Sequence, residues 1–201
     1  MRIAPYGERA LLAEPDDPHD VPSLRALAAD QDGVVDAVAG ARAVLAVFDP
    51  ARLTAERLHA LLASADLAAS RPDVADRTVE LAVRYDGADL AAVAEAARLS
   101  PAEVVEKHAS ADYRVRFCGF SPGFAYLDGL DARLHVARHR TPRTSVPAGS
   151  VAIAGEFTGI YPRSSPGGWQ LLGTTDAALW DVSRDPPALL TPGTRVRFVP
   201  A

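Results

Sequence analysis

The sequence predicts an α+β protein in two parts, a small α/β sandwich over residues 1–75 followed by a mainly β domain over residues 76–201. Three observations carry this expectation. The first part alternates strand-like and helix-like segments in the order strand, helix, strand, strand, helix. Helical periodicity then stops at Tyr113, and short alternating apolar runs take over to the C-terminal end. Between the two parts lies Ala69–Asp73, a polar stretch interrupted by proline that reads as a linker.

Within the first part, Ala10–Ala13 and Ala43–Phe48 read as strands, while residues 21–31 carry Leu24, Leu27 and Ala28 at helical spacing. A second helix follows. Asp49-Pro50 offers an N-cap ahead of a proline, and Leu58, Leu61 and Leu62 supply its apolar stripe. In the second part, Val79, Leu81 and Val83 alternate with polar or small neighbours, the period of a half-buried strand. One helix is expected to start at Asp89. Another starts at Ser100-Pro101-Ala102-Glu103, a capping box with proline in the first helical position. Beyond Tyr113, the residues Tyr113, Val115 and Phe117 alternate with Arg114 and Arg116. Val151–Ala154, Trp169–Leu172 and Arg195–Val199 give further short strands, so this domain is expected to be a barrel or a closed sandwich.

Composition narrows the function classes. With 201 residues, 48% hydrophobic and 23% charged, the chain has enough apolar material for two packed cores. A net charge of -5 offers no general attraction to nucleic acid or to an anionic membrane surface, so neither is expected as a partner. No apolar run approaches the roughly 20 residues of a membrane span, and the first residues lack the apolar stretch of a signal peptide. A single cysteine, Cys118, fits a reducing compartment, and a cytoplasmic protein is expected. Lys107, the only lysine, sits on an amphipathic helix, which argues against Schiff-base chemistry. The histidines form no HExxH motif, and no metal is expected.

Residues 111–175 hold nine of the 14 glycines and eight of the 13 aromatic residues, a combination that allows close backbone approach to a ligand between aromatic walls. Ser121-Pro122-Gly123-Phe124-Ala125-Tyr126 directly follows a strand, where its amides can form a concave anion or carbonyl site. Asp131–Pro147 carries Arg133, Arg138, Arg140 and Arg143 with His135 and His139 against one acid, a pattern suited to carboxylate or phosphate recognition. Arg143 stands on the stiffest backbone, between Pro142 and the turn at Pro147, and is the leading candidate. Glu156, in a glycine-flanked loop, is a candidate general base. Tyr161–Trp169 supplies hydroxyls and free amides beside aromatics but lacks the spacing and lysine of a P-loop. Cys118 reads as core, and His108 stands at the end of the capped helix.

Four ordered motifs resemble a known family. Phe117-Cys-Gly-Phe-Ser-Pro-Gly-Phe-Ala-Tyr-Leu127, Thr141–Ala154, Thr158-Gly-Ile-Tyr-Pro162 and Ser165-Pro-Gly-Gly-Trp169 are similar to the 5-oxoprolinase B-subunit family, also called allophanate hydrolase subunit 1 or the sporulation-kinase inhibitor family. The resemblance runs over nearly the whole chain. It implies a cyclophilin-like β-barrel as the second domain, and two partners in one enzyme, the homologous C-type subunit and the separate A-type subunit. It also implies ATP-dependent opening of 5-oxo-L-proline to glutamate, in which phosphorylating the amide oxygen makes a poor electrophile reactive toward water, with the ATP shared between subunits. The resemblance places Arg143, Glu156, Thr158, Tyr161 and the Ser165–Trp169 loop at the site. Together with the residue reading above, the expected catalytic residues are Arg143, Glu156 and His108, and the expected substrate contacts are Phe117, Pro122, Gly123, Phe124, Pro147, Thr158, Tyr161, Ser165, Pro166, Gly167 and Trp169. Relatives further imply two alternatives, a carboxyltransferase part of a biotin-dependent urea carboxylase and a stoichiometric histidine-kinase inhibitor. Ala125 and Thr174 depart from the family, standing where proline and arginine are frequent.

Overall fold

The computed structural model describes residues 1–67 and 77–201. The chain divides into two compact units, Met1–Asp73 and Val74–Ala201. The expected linker at Ala69–Asp73 lies outside the described residues.

The first unit runs β1 (Arg2–Pro5), β2 (Ala10–Glu14), α1 (Val21–Ala29), β3 (Val34–Ala39), β4 (Val44–Phe48) and α2 (Ala55–Ala63). Its sheet is antiparallel in the order β1-β2-β4-β3. Alternate residues Val44, Ala46 and Phe48 of β4 are buried, and they pack with Leu24 and Ala28 of α1 and Leu58 and Leu62 of α2. Two details differ from the expectation. β1 extends the sheet by a strand, and Asp49-Pro50 does not cap α2. The Asp49 carboxylate accepts from the Ala51 amide at 3.0 Å and its carbonyl from Arg52 and Leu53, so this pair closes a turn. Thr54 caps the helix instead, its hydroxyl accepting from the Arg57 amide at 3.3 Å.

The second unit opens with β5 (Thr78–Val83), α3 (Leu90–Ala97) and α4 (Pro101–Ser110). The Ser100–Glu103 capping box forms as expected, with the Ser100 hydroxyl accepting from the Glu103 amide and the Glu103 carboxylate accepting from the Ser100 amide at 2.7 Å. The strands β6 (Tyr113–Cys118), β7 (Ala125–Asp128), β8 (Arg143–Val146), β9 (Ser150–Ala154), β10 (Phe157–Ile160), β11 (Ser165–Gly167), β12 (Gln170–Thr174) and β13 (Arg195–Pro200) follow. Seven of the strands form one sheet in the order β12-β9-β10-β7-β6-β13-β5. Its two ends meet where Arg84, just past β5, exchanges two backbone hydrogen bonds with Thr174 of β12, at 2.9 and 2.8 Å. The result is a nearly closed barrel, and the fold class is the α+β arrangement that the sequence predicts. Closure brings Gly173 so close to the Arg84 carbonyl that a Cβ would lie 2.2 Å from it.

Both faces of β9 are covered, which explains why all five of its residues are buried. Val151 and Ile153 point into the barrel core with Val83, Val104, Leu127 and Phe198. Ala152 and Ala154 point outward into a second cluster with Phe124, Val146, Tyr161, Trp169 and Leu171. That outer cluster is roofed by a two-stranded ribbon of β8 and β11, and it positions the candidate site.

Candidate functional site on the outer face of the barrel

A ladder slip turns the aromatic motif outward. The β6–β7 register shifts between Val115 and Phe117, so two successive residues, Arg116 and Phe117, both meet outer-face partners instead of alternating. The simple alternation of Tyr113, Val115 and Phe117 with Arg114 and Arg116 is broken at this slip. Phe117 stacks on Tyr126 with ring centroids 4.2 Å apart, and Phe157 meets both edge-on at 5.9 and 5.6 Å. Tyr126 lies 5.5 Å from Trp169, and Phe124 touches Tyr126, Tyr161 and Trp169 at 5.1–5.4 Å. The motifs therefore converge on one aromatic wall.

A cation lies at each end of the wall. At the Phe157 end, the Arg116 guanidinium sits 5.2 Å from the ring and is held by Asp128 at 2.5 Å and Glu156 at 2.9 Å. At the other end, the Arg138 guanidinium lies 5.7 Å from the Trp169 ring. Tyr161 is buried beneath, and burial raises its phenol above the ordinary range against a hydrogen bond from the Trp169 amide and the fields of Arg138 and Arg143. Gly167 passes directly over this phenol. A Cβ there would lie 2.2 Å from the Tyr161 oxygen, so only glycine lets β11 descend onto the wall.

Arg143 is committed elsewhere. Its Nη2 donates to Asp89 at 2.7 Å, while the other Asp89 oxygen accepts from the Leu171 amide at 2.7 Å. The Asp89 side chain is only 7% exposed. Burial alone would push its carboxyl up, but hydrogen bonds from Arg143 and Leu171 and the close approach of His139 hold it below the ordinary carboxylate range. Asp89, which the sequence marks as the cap of α3, makes no side-chain cap and instead ties the second unit's first helix to the β8–β11 ribbon.

His108 and Thr158 leave the site for the barrel core, where both are fully buried. The Thr158 hydroxyl donates to the Ala152 carbonyl at 3.1 Å, so it accepts from His108 Nε2 at 2.9 Å. His108 Nδ1 then accepts from the Tyr85 hydroxyl at 2.8 Å. This fixes a neutral imidazole stacked on Phe198 at 4.6 Å, and burial lowers its pKa to about 3. A neutral ring closed off from solvent does not face a substrate, which corrects the expectation of a catalytic His108.

The other expected contacts divide. Ser165, Pro166 and Gly167 form β11 beside Arg143 of β8, and the Ser165 hydroxyl is buried without a hydrogen-bond partner among the described residues. Pro147 is exposed, its carbonyl accepting from the Ser150 hydroxyl at 2.8 Å. Pro122 lines a separate shallow cleft with Pro162, Arg163 and Trp180, and Gly123 is packed beneath Trp180 and Pro162. His135 and His139 do stand four residues apart, but no helix places them on one face. His135 Nε2 contacts the Leu130 carbonyl, whereas His139 Nε2 is 3.2 Å from Asp89, misaligned for a hydrogen bond. Among the described residues no group of three His, Cys, Asp or Glu side chains converges on a metal position.

The carboxyltransferase domain family, subdomain C and D, matches residues 1–190. The 5-oxoprolinase B subunit of Escherichia coli O157:H7 is 41% identical over 96% of this chain and 93% of its own. This chain is a member of the 5-oxoprolinase B-subunit family. Among solved structures, TTHA0988 is 40% identical with a TM-score of 0.82 over 96% of this chain, which spans 40% of that longer protein. The urea amidolyase of K. lactis superposes with a TM-score of 0.75 at 22% identity, a likeness of fold alone.

Lys107 is paired with Asp131 at 2.6 Å, Arg84 with Asp176 at 2.8 Å, Arg116 with two carboxylates and Arg143 with Asp89. Signals for Tyr126, Phe157 and Asp89 were present in the sequence, in the aromatic motifs and in an acid preceding a helix, but these partners lie 31 to 82 residues away along the chain.

Proposed function

We propose that this chain is the B subunit of an ATP-dependent 5-oxoprolinase, a non-autonomous part of an enzyme that opens 5-oxo-L-proline to glutamate together with the A and C subunits in the cytoplasm. The observation that carries the reading is identity of 41% with a 5-oxoprolinase B subunit over nearly the full length of both chains. The outer-face wall suits the substrate. A five-membered lactam is flat, with apolar ring faces and a polar edge of carboxylate, amide and carbonyl, and the rim of the wall offers the half-buried Tyr126 and Phe157 rings beside ionic groups, above the buried Phe124, Tyr161 and Trp169. Glu156, with its side chain 53% exposed at the Phe157 end, is the group proposed to take a proton from the attacking water. His108 acts only as a support of the barrel. The ATP is proposed to be shared with the partner subunits.

Assembly and turnover test the reading together. Light scattering on a size-exclusion column is expected to show a hetero-oligomer when the chain is mixed with the A and C subunits, and glutamate release is expected only from that mixture. A correctly assembled complex that leaves 5-oxoproline intact would overturn it.

A further inference from the structure

We propose that Arg138 holds the carboxylate of the small cyclic-amide substrate at the rim of the aromatic wall, beside the half-buried Tyr126. The inference deepens the 5-oxoprolinase reading and rests on it. Sequence alone favours Arg143, but the buried Asp89 takes its Nη2 at 2.7 Å, and Nη1 reaches only the Trp169 carbonyl at 3.5 Å. Arg138 has no ion pair or hydrogen bond among the described residues. It is exposed, and its guanidinium lies over the face of Trp169, with the half-buried Tyr126 and the buried Tyr161 both within its field.

The backbone that presents it is fixed on both sides. The Val136 carbonyl accepts from the Gly155 amide at 2.7 Å, the Ala137 carbonyl from Gln170 Nε2 at 2.9 Å, and the His139 amide donates to the Gly168 carbonyl at 2.7 Å. An uncompensated guanidinium on a clamped segment, resting on an indole, is prepared for a planar anion. With no acid or carbonyl bound to it among the described residues, its N–H groups are available for a bidentate grip on a carboxylate. The opposite end of the wall offers no second candidate, because Arg116 is already shared by Asp128 and Glu156.

The test is steady-state kinetics of the fully assembled enzyme carrying Arg138→Ala, with KM measured separately for 5-oxoproline and for ATP. A charge-assisted bidentate contact predicts a rise of roughly 10- to 100-fold in KM for 5-oxoproline, with kcat and the KM for ATP little changed. Arg138→Lys, which keeps the charge and loses the fork, is expected to fall between. The uncharged amide 5-oxoprolinamide is expected to bind wild type and variant equally. Loss of the exposed side chain leaves thermal unfolding within a few degrees, so folding does not confuse the result. An unchanged KM for 5-oxoproline in an active complex overturns the assignment, as does a shift confined to ATP. A wild-type complex without turnover overturns the 5-oxoprolinase reading itself, and the assignment with it.

Discussion

Replacing Arg143 by alanine separates a scaffolding role from a substrate-binding one. Asp89 is 7% exposed and accepts two hydrogen bonds at 2.7 Å, one from Arg143 and one from the Leu171 amide. A hydrogen bond between charged groups contributes about 1.5–3 kcal/mol, and stripping one partner from a fully buried pair costs about 3–5 kcal/mol. Arg143 itself is 30% exposed, so water reaches the vacated oxygen and the lower range applies. The expected loss is about 2 kcal/mol, roughly 6–10 °C in Tm for a domain of this size, read by calorimetry or thermal circular dichroism at pH 7. Asp89→Asn added to Arg143→Ala removes the stranded charge and is expected to recover part of the loss. Acid lability moves as well. Because the folded Asp89 carboxyl lies below its ordinary value, it stabilises the fold above that value and the contribution disappears as pH falls through the folded one. Without Arg143 the carboxyl rises, so acid unfolding begins at a higher pH. A variant whose Tm stays within 2 °C of wild type, with unaltered acid unfolding, would refute the scaffolding assignment.

Two further substitutions probe the barrel and the wall. His108 is neutral in the folded state with a pKa of about 3, against an ordinary 6.5, so below pH 6.5 the unfolded chain binds the extra proton. Its contribution to stability is thus complete above pH 6.5 and is lost toward pH 3 at up to about 1.4 kcal/mol per pH unit, and His108→Gln is expected to flatten that slope in pH-dependent unfolding. An unchanged slope would mean the ring titrates normally. Glu156→Gln breaks an exposed ion pair with Arg116 and is expected to cost under about 1 kcal/mol of stability while lowering kcat with little change in KM, and an unchanged kcat would remove Glu156 from the chemistry.

Local signals were legible where sequence neighbours decide the structure. The capping box at Ser100–Glu103 and the alternation of Val79, Leu81 and Val83 needed only periods and side-chain chemistry. Three features depended on distant chain. Asp49-Pro50 resembles a helix start, but the competing turn at Asp49 won and Thr54 took the cap. Phe117 has the parity of a core residue until the slip in the β6–β7 ladder turns it outward. Arg143 and Asp89 each look available for other tasks, and only closure of the barrel, which brings Asp89 beside β12, joins them across 54 positions. The aromatic wall was visible as composition, whereas the identity of its free cation required knowing which arginines had already found acids.

The most direct test of the account is glutamate release from 5-oxoproline and ATP by a mixture of this chain with the A and C subunits, with each component omitted in turn. Release from the full mixture, abolished when this chain is left out, is the predicted result. Equal release without this chain, or none from a fully assembled complex, would contradict it.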